Sequence, residues 1–268
     1  MARISQLFSL AIDVVWCYLT KPRESLKNTH IIVIAVWRTY AIGSRAFHVL
    51  KNHEHSWSDR TRSRYIWRVA QKFWAPWILD RAGIDIVVTG LERLTDDPYV
   101  VVVNHSSVLD ILATTAILPD CRFVAKIEVL KMPIFGKLAR YGGQVIIDRS
   151  DKKQSMTALR TNTKSISRGN LLIFPEGTRT SAGSLGIFKY GGFAIAKENN
   201  LPILPVAIDG ISQVTDQKGN FLHLVPGSRI TVAICPSITV SDVARFEVPI
   251  LAEHARSIIV QKLKENVA

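Results

Sequence analysis

From residue 83 onward, short apolar runs rich in β-branched residues alternate with longer stretches of helical periodicity. The runs lie at residues 84–89, 99–103, 122–125, 144–147, 171–174, 203–208 and 230–234, and each predicts a strand. Helix-length stretches separate most of them, at 107–118, 128–141, 152–168 and 187–199, with a last one near 241–264. Val100-Val101-Val102-Val103 is apolar at every position, so neither of its faces suits solvent. Such a strand belongs in a sheet covered by helices on both sides. The alternation therefore predicts an α/β fold with a largely parallel central sheet.

The first 83 residues follow another pattern. Residues 4–19 are apolar but interrupted by Gln6 and Asp13, and the apolar run 31–37 is followed at once by Arg38. Neither has the ~20 uninterrupted apolar residues of a clean spanning helix. An interfacial or re-entrant helical pair fits them, with one span through 31–50 or two core-packing helices as the other readings. Trp16-Cys17-Tyr18 offers no small-residue cleavage site, so a cleaved leader is not expected. Residues 57–82 read as a basic amphipathic helix, with Arg60, Arg64, Arg68 and Lys72 interleaved with Trp67, Trp74 and Trp77.

Charge sharpens this division. The net charge is +12, and residues 1–83 hold 13 Lys and Arg against 5 Asp and Glu. All six tryptophans (Trp16, Trp37, Trp57, Trp67, Trp74 and Trp77) lie there too. Tryptophan with cations around apolar helices is the composition of a membrane interface, where indoles sit at head-group depth and cations meet anionic lipid. Two units are expected: membrane-associating helices over 1–83 and an α/β domain over 84–268. Nucleic acid is not an expected partner, because its stacking aromatics would line a basic groove rather than travel with apolar helices. The three cysteines, Cys17, Cys121 and Cys235, have no metal-ligand spacing and form no disulfide framework, which predicts buried, inert thiols in a reducing compartment. No metal site is expected.

In sheets of this kind ligands bind beyond the carboxyl ends of the strands. Three polar clusters sit there: Asn104-His105-Ser106-Ser107, Asp148-Arg149 and Pro175-Glu176-Gly177-Thr178-Arg179. A histidine is suited to taking a proton from a hydroxyl near neutral pH, and a carboxylate on its other nitrogen fixes the tautomer. Asp110 can play that part for His105 only if the histidine lies in the turn before a helix. Five residues along one helix would rotate the pair ~140° apart. Ser106 or Ser107 can cap a helix running to Leu118. No serine lies in a Gly-x-Ser-x-Gly elbow and no cysteine adjoins a histidine, so direct attack by an acceptor hydroxyl is expected rather than a covalent enzyme intermediate.

In the third cluster Arg179 can bind a phosphate monoester bidentately, with Thr178 donating beside it. Glu176 would orient Arg179 or contact a hydroxyl of the ligand; the bland alternative is a surface turn stapled by a Glu–Arg ion pair. Arg149 could add a second phosphate ligand and Lys126 a longer-range cation, with Asp148 orienting Arg149. Residues 201–206, with Pro202 and Pro205, form either a rigid apolar wall or the start of a plain buried strand.

Taken together these blocks resemble the glycerolipid acyltransferase family, specifically the bacterial-type 1-acyl-sn-glycerol-3-phosphate acyltransferases. Asn104 through Asp110 is similar to the family's Asn-His-x4-Asp motif, residues 143–149 to its second block, 174–179 to its glycerophosphate-binding block, and 201–206 to its fourth. The resemblance covers about residues 83–240 in the right order. It implies His105 as general base and Asp110 as its partner. It also implies an acceptor site built from Arg149, Glu176, Gly177 and Arg179, and an acyl chain passing from an acyl thioester to the free sn-2 hydroxyl of lysophosphatidic acid. No cofactor is implied; the donor, acyl-carrier protein or acyl-CoA, is a co-substrate. The expected partners are this donor, the lysophospholipid and an anionic bilayer surface, on the cytoplasmic face of the inner (plasma) membrane. Other acceptors remain open in sequences of this type, lyso-ornithine lipid and glycerol-3-phosphate among them, as does a non-enzymatic membrane-adsorbed lipid binder.

Overall fold

The apolar runs form the strands β1 (Asp85–Thr89), β2 (Val100–Val103), β3 (Cys121–Lys126), β4 (Val145–Ile147), β5 (Asn170–Ile173), β6 (Ile203–Asp209) and β7 (Arg229–Ile234). The computed structural model describes residues 26–163, 169–180, 185–214 and 225–267. Across the sheet the strands run in the order β1-β7-β6-β2-β5-β3-β4. Strands β2 to β6 are mutually parallel, whereas β6 and β7 pair antiparallel and β1 is parallel to β7. The sheet is thus largely parallel, with its β1–β7 flank reversed.

Helices cover both faces. On one side lie α1 (Leu26–Asn52), α2 (Asp59–Val69), α3 (Ala75–Arg81), α4 (Leu109–Ile117) and α5 (Pro133–Tyr141); α6 (Lys152–Thr163), α7 (Gly191–Glu198), the short α8 (Ile211–Val214), α9 (Val240–Arg245) and α10 (Val248–Val267) complete the chain. The central strand shows why both faces are needed. Val101 and Val103 join a core with Trp67, Ile78, Leu109 and Leu112, whereas Val100 and Val102 join one with Phe193, Ile195, Leu251 and Ala255. Each of the larger of these side chains contributes about 1.5–3 kcal/mol by leaving water.

Prolines account for breaks inside the predicted helices. Pro133 opens α5, so the stretch 128–141 divides into a 3₁₀ segment Ile127–Lys131 and the helix proper. Pro76 near the start of α3 follows a π-helical turn Ala70–Trp74, where Ala75 N–H donates to Ala70 O. The last predicted helix divides into α9 and α10, with Pro249 in the first turn of α10. Residues 164–168 of the predicted helix 152–168 lie outside the described residues.

The helical segment before residue 83 departs from its interfacial reading. Trp67 is 3% exposed and donates through Nε1 to Leu118 O at 2.9 Å. Trp74 Nε1 donates to Thr39 Oγ1 at 2.8 Å, and the Arg38 guanidinium lies 4.2 Å from the Trp77 ring. These indoles face inward because each finds a polar partner there, while Arg60, Arg64, Arg68 and Lys72 are exposed. Ala75, Ile78, Leu79 and Ala82 share the sheet's core with Ile84, so packing runs across the expected boundary at residue 83. Helix α1 packs against α5 at Gly43, where a Cβ would stand 2.6 Å from Ile134 Cγ1. Its outer side exposes Val36, Trp37 and Tyr40. No described helix is long and apolar enough to cross a membrane, so the span through 31–50 is not found; Arg38 and Arg45 interrupt that stretch. Residues 4–19, with Trp16 and Cys17, lie outside the described residues.

Candidate active site

Because β2, β5, β3 and β4 are parallel, the three polar clusters leave the same edge of the sheet. At the end of β2, Asn104 is pinned to β6: its Nδ2 donates to Ile208 O at 2.9 Å and its Oδ1 accepts from Ile208 N at 2.8 Å. This pair ends the strand and turns His105 out of it, before α4 begins.

His105 Nδ1 lies 2.8 Å from Asp110 Oδ2. The same oxygen accepts from Ser106 N at 2.7 Å and Ser107 N at 2.8 Å. Asp110 is 0% exposed and the His105 side chain 16%. A carboxylate oxygen accepts only, so Nδ1 carries the proton and Nε2 presents its lone pair to the site. The helix start differs from the expected serine cap. The N-cap is Val108, without a side-chain hydrogen bond, and Asp110 reaches back to the N–H groups of Ser106 and Ser107 instead. Ser107 Oγ only accepts from Leu109 N at 3.3 Å.

The loop after β5 grips the histidine backbone on both sides. Glu176 Oε1 accepts from His105 N at 2.8 Å, and Thr180 N donates to His105 O at 2.9 Å. Phe174 stacks on the imidazole with ring centroids 4.2 Å apart. Glu176 is 5% exposed, and its other oxygen accepts from Gly186 N at 2.9 Å. The carboxylate thus braces two backbone segments rather than holding Arg179, which corrects both the orienting role and the Glu–Arg staple. Each of its oxygens meets a backbone N–H inside the fold, whereas Arg179 is exposed.

Gly177 has φ +73°, the left-handed region, and a Cβ there would stand 2.5 Å from Lys189 Nζ. The lysine therefore lies across the glycine, bringing a cation to this turn. Thr178 and Arg179 are exposed on the same turn. Lys126, exposed, ends β3, and Arg149 follows β4; among the described residues neither bonds to His105. Adjacent strands lie about 4.8 Å apart, so the exit of β4 is about 14 Å from that of β2. Burial lowers the pKa of Arg149 from the ordinary guanidinium value, with Glu128 opposing the shift. Asp148 does not orient Arg149: its Oδ1 accepts from Ser150 N at 2.9 Å and Ser150 Oγ at 2.6 Å. Those two donors hold its carboxyl below the usual range.

Residues 201–206 lead into β6, buried between β2 and β7, and so form a strand rather than a groove wall. Pro205 is tolerated because its carbonyl, and hence its missing N–H, faces the place where the regular β7 ladder has stopped at Ile234. Beyond it only Cys235 N–Pro205 O and a bridge from Ile203 to Ile238 remain. Cys121 and Cys235 are free and buried, and burial raises both thiol pKa values. Among the described residues no cluster of three His, Cys, Asp or Glu could hold a metal.

Sequence reasoning found His105, Asp110, Glu176 and Gly177, which direct bonds or turn geometry bring together. It missed Phe174 as the ring under His105, Thr180 and Gly186 as backbone donors, Lys189, and Arg256 of α10, which donates to the Leu185 and Gly186 carbonyls at 3.2 and 3.1 Å. Phe174 was readable as an aromatic at a strand end, whereas Lys189 meets Gly177 only through the fold. The backbone donors carry no residue signal.

Residues 85–209 match the family model described as Acyltransferase. The chain is 30% identical over 188 residues to a 1-acyl-sn-glycerol-3-phosphate acyltransferase of Saccharomyces cerevisiae, covering 68% of this chain and 61% of that one. It is 33% identical over 175 residues to the human 1-acyl-sn-glycerol-3-phosphate acyltransferase beta, covering 64% and 62%. With a Pseudomonas aeruginosa enzyme of the same name it shares 35% over 128 residues, 47% of this chain and half of that one. The chain thus spans about three fifths of the first two relatives. The crystal structure of the 1-acyl-sn-glycerophosphate acyltransferase PlsC from Thermotoga maritima has the same fold, with TM-score 0.74, 24% identity, and 91% and 97% of the two chains covered. Through residues 85–209, this chain carries an Acyltransferase domain, the family whose model matches there.

Proposed function

We propose that the chain transfers a fatty acyl group from a thioester to the free sn-2 hydroxyl of lysophosphatidic acid, giving phosphatidic acid. One observation carries this reading: His105 is locked through Nδ1 to a buried aspartate, with Nε2 open beside a phosphate-competent turn. The acceptor hydroxyl attacks the thioester carbonyl while Nε2 takes its proton. The new C–O bond forms, the C–S bond breaks, and the same proton leaves with the thiol. Asp110 stabilises the imidazolium between these steps. Both substrates must be bound together, since no covalent intermediate stores the acyl group.

The acceptor's phosphate is assigned to Arg179, Thr178 and the turn at Gly177, with Arg149 and Lys126 extending the positive edge. Glu176 supports this site from within. The donor is an acyl-CoA or an acyl-carrier protein thioester, and no prosthetic group takes part in this route. The exposed Val36, Trp37 and Tyr40 of α1 support adsorption of that helix to an anionic bilayer, on the cytoplasmic face of the inner membrane.

Phosphatidic acid formation from lysophosphatidic acid and an acyl thioester, by purified protein with His105→Ala alongside, tests the reading. Product with the wild type and none with the variant is expected. Folded protein that acylates lyso-ornithine lipid or glycerol-3-phosphate but not lysophosphatidic acid would replace the acceptor. Folded protein inactive on every acceptor would leave a lipid-binding role.

A further inference from the structure

The geometry assigns to Arg256, on α10 and outside the matched residues 85–209, the role of a positioning residue for His105. The assignment rests on the proposed role of His105 as general base. A chain of hydrogen bonds joins the two. Arg256 Nε donates to Gly186 O at 3.1 Å and its Nη2 to Leu185 O at 3.2 Å. Gly186 N donates to Glu176 Oε2 at 2.9 Å, and Glu176 Oε1 accepts from His105 N at 2.8 Å.

Each link has a physical reason to transmit position. Leu185 and Gly186 lie in no helix or strand, so no ladder of their own fixes them. A planar guanidinium with two donors on adjacent carbonyls fixes both place and orientation. Arg256 is itself anchored by a rigid element, since its neighbours Leu251, Ala252, Ala255 and Ile259 are buried in the core. Gly186 fits closely against its target: a Cβ there would stand 3.1 Å from Glu176 Oε2 and 3.2 Å from Thr180 Cγ2. If the Leu185–Gly186 segment shifts, a buried carboxylate loses one of its donors and must turn to recover it. That turn releases the backbone N–H of His105.

The test uses the full chain in detergent, with lysophosphatidic acid and an acyl thioester. Arg256→Met keeps the apolar stem and removes the fork. It is expected to lower kcat roughly 10- to 100-fold, the scale of a displacement of about 1 Å in a catalytic group. KM for both substrates should stay within about twofold, since Arg256 touches neither. Arg256→Lys, which keeps a cationic donor group but puts its N–H groups on one nitrogen in place of the planar fork, should restore part of kcat, and it carries the test if Arg256→Met does not fold. Glu253→Gln removes the exposed partner that Arg256 also meets at 3.3 Å, and should leave kcat unchanged. Combined with Glu176→Gln, the Arg256→Met loss should be less than multiplicative. Unchanged kcat in folded Arg256→Met, a loss confined to KM, a loss reproduced by Glu253→Gln, or strict multiplicativity would each overturn the assignment. A wild type inactive on every acceptor would instead remove the general-base reading, and the assignment with it.

Discussion

Phe174 lies against the imidazole of His105, the two rings 23° from parallel, and Phe123 stacks on Phe174 in turn with centroids 6.3 Å apart. The stack holds the plane of the ring, while Asp110 holds its rotation through Nδ1. Phe174→Leu keeps an apolar surface but loses the plane. Stacking of this kind contributes about 0.5–1.5 kcal/mol, so kcat should fall roughly 2- to 10-fold. Steady-state rates at saturating substrates would read this; a variant at the wild-type rate would reduce Phe174 to filler.

Asp110→Asn separates the carboxylate's charge from its geometry. Ser106 N–H and Ser107 N–H both point at Oδ2, so they hold an amide with its oxygen toward His105. The tautomer is kept and only the charge facing the imidazolium is lost. The amide nitrogen then takes the place of Oδ1, a buried atom without a partner, at a cost of about 1–3 kcal/mol. We expect kcat to drop about 10²- to 10³-fold, short of the roughly 10⁴-fold seen when the wrong tautomer results. Asp110→Ala should be worse in stability as well, because the two serine amides lose their acceptor. Thermal melts and kcat together distinguish the two variants.

Gly177→Ala places a methyl group where Lys189 now lies, on a backbone with positive φ. Left-handed geometry costs a non-glycine residue about 1–2 kcal/mol. The melting temperature should therefore fall, and KM for the acceptor should rise as the phosphate turn and Lys189 are displaced. A normal acceptor KM would place phosphate binding elsewhere on the edge.

Asp120 provides a prediction in pH. Burial raises its pKa from the ordinary 3.8, against the lowering influence of Arg64, Arg60 and Arg68. A folded-state value above the unfolded one means that protons stabilise the fold, and that this stability is lost as pH rises through the folded value. At pH 7 the ionised carboxylate is thus a net cost, only partly offset by its ion pair with Arg64 at 3.6 Å. Its φ of 41° also suits asparagine. Asp120→Asn should match or exceed wild-type stability at pH 7, by under about 1 kcal/mol in this partly exposed site. The advantage should vanish below pH 3.8, where both side chains are neutral. Denaturant melts at the two pH values check the sign.

How much of this was legible in the chain follows from range. All seven strands were readable within a few residues because β-branched runs such as Val100–Val103 report burial locally. His105 and Asp110 were readable because their pairing spans one turn, and the common edge of the clusters followed from parallel strands. The reversal of β1 and β7 was not, since strand direction depends on how a loop returns and not on the strand's own residues. Nor was the inward turn of Trp67 and Trp74, because an amphipathic helix does not state which partner its apolar side will meet. Glu176 is the clearest case. Its neighbour Arg179 suggested an ion pair, but the fold brings two backbone amides, 71 residues before it and 10 after it, to its oxygens. Every residue but proline offers the same amide, so no residue type marks such a contact in advance, and only the tertiary structure decides which amide arrives.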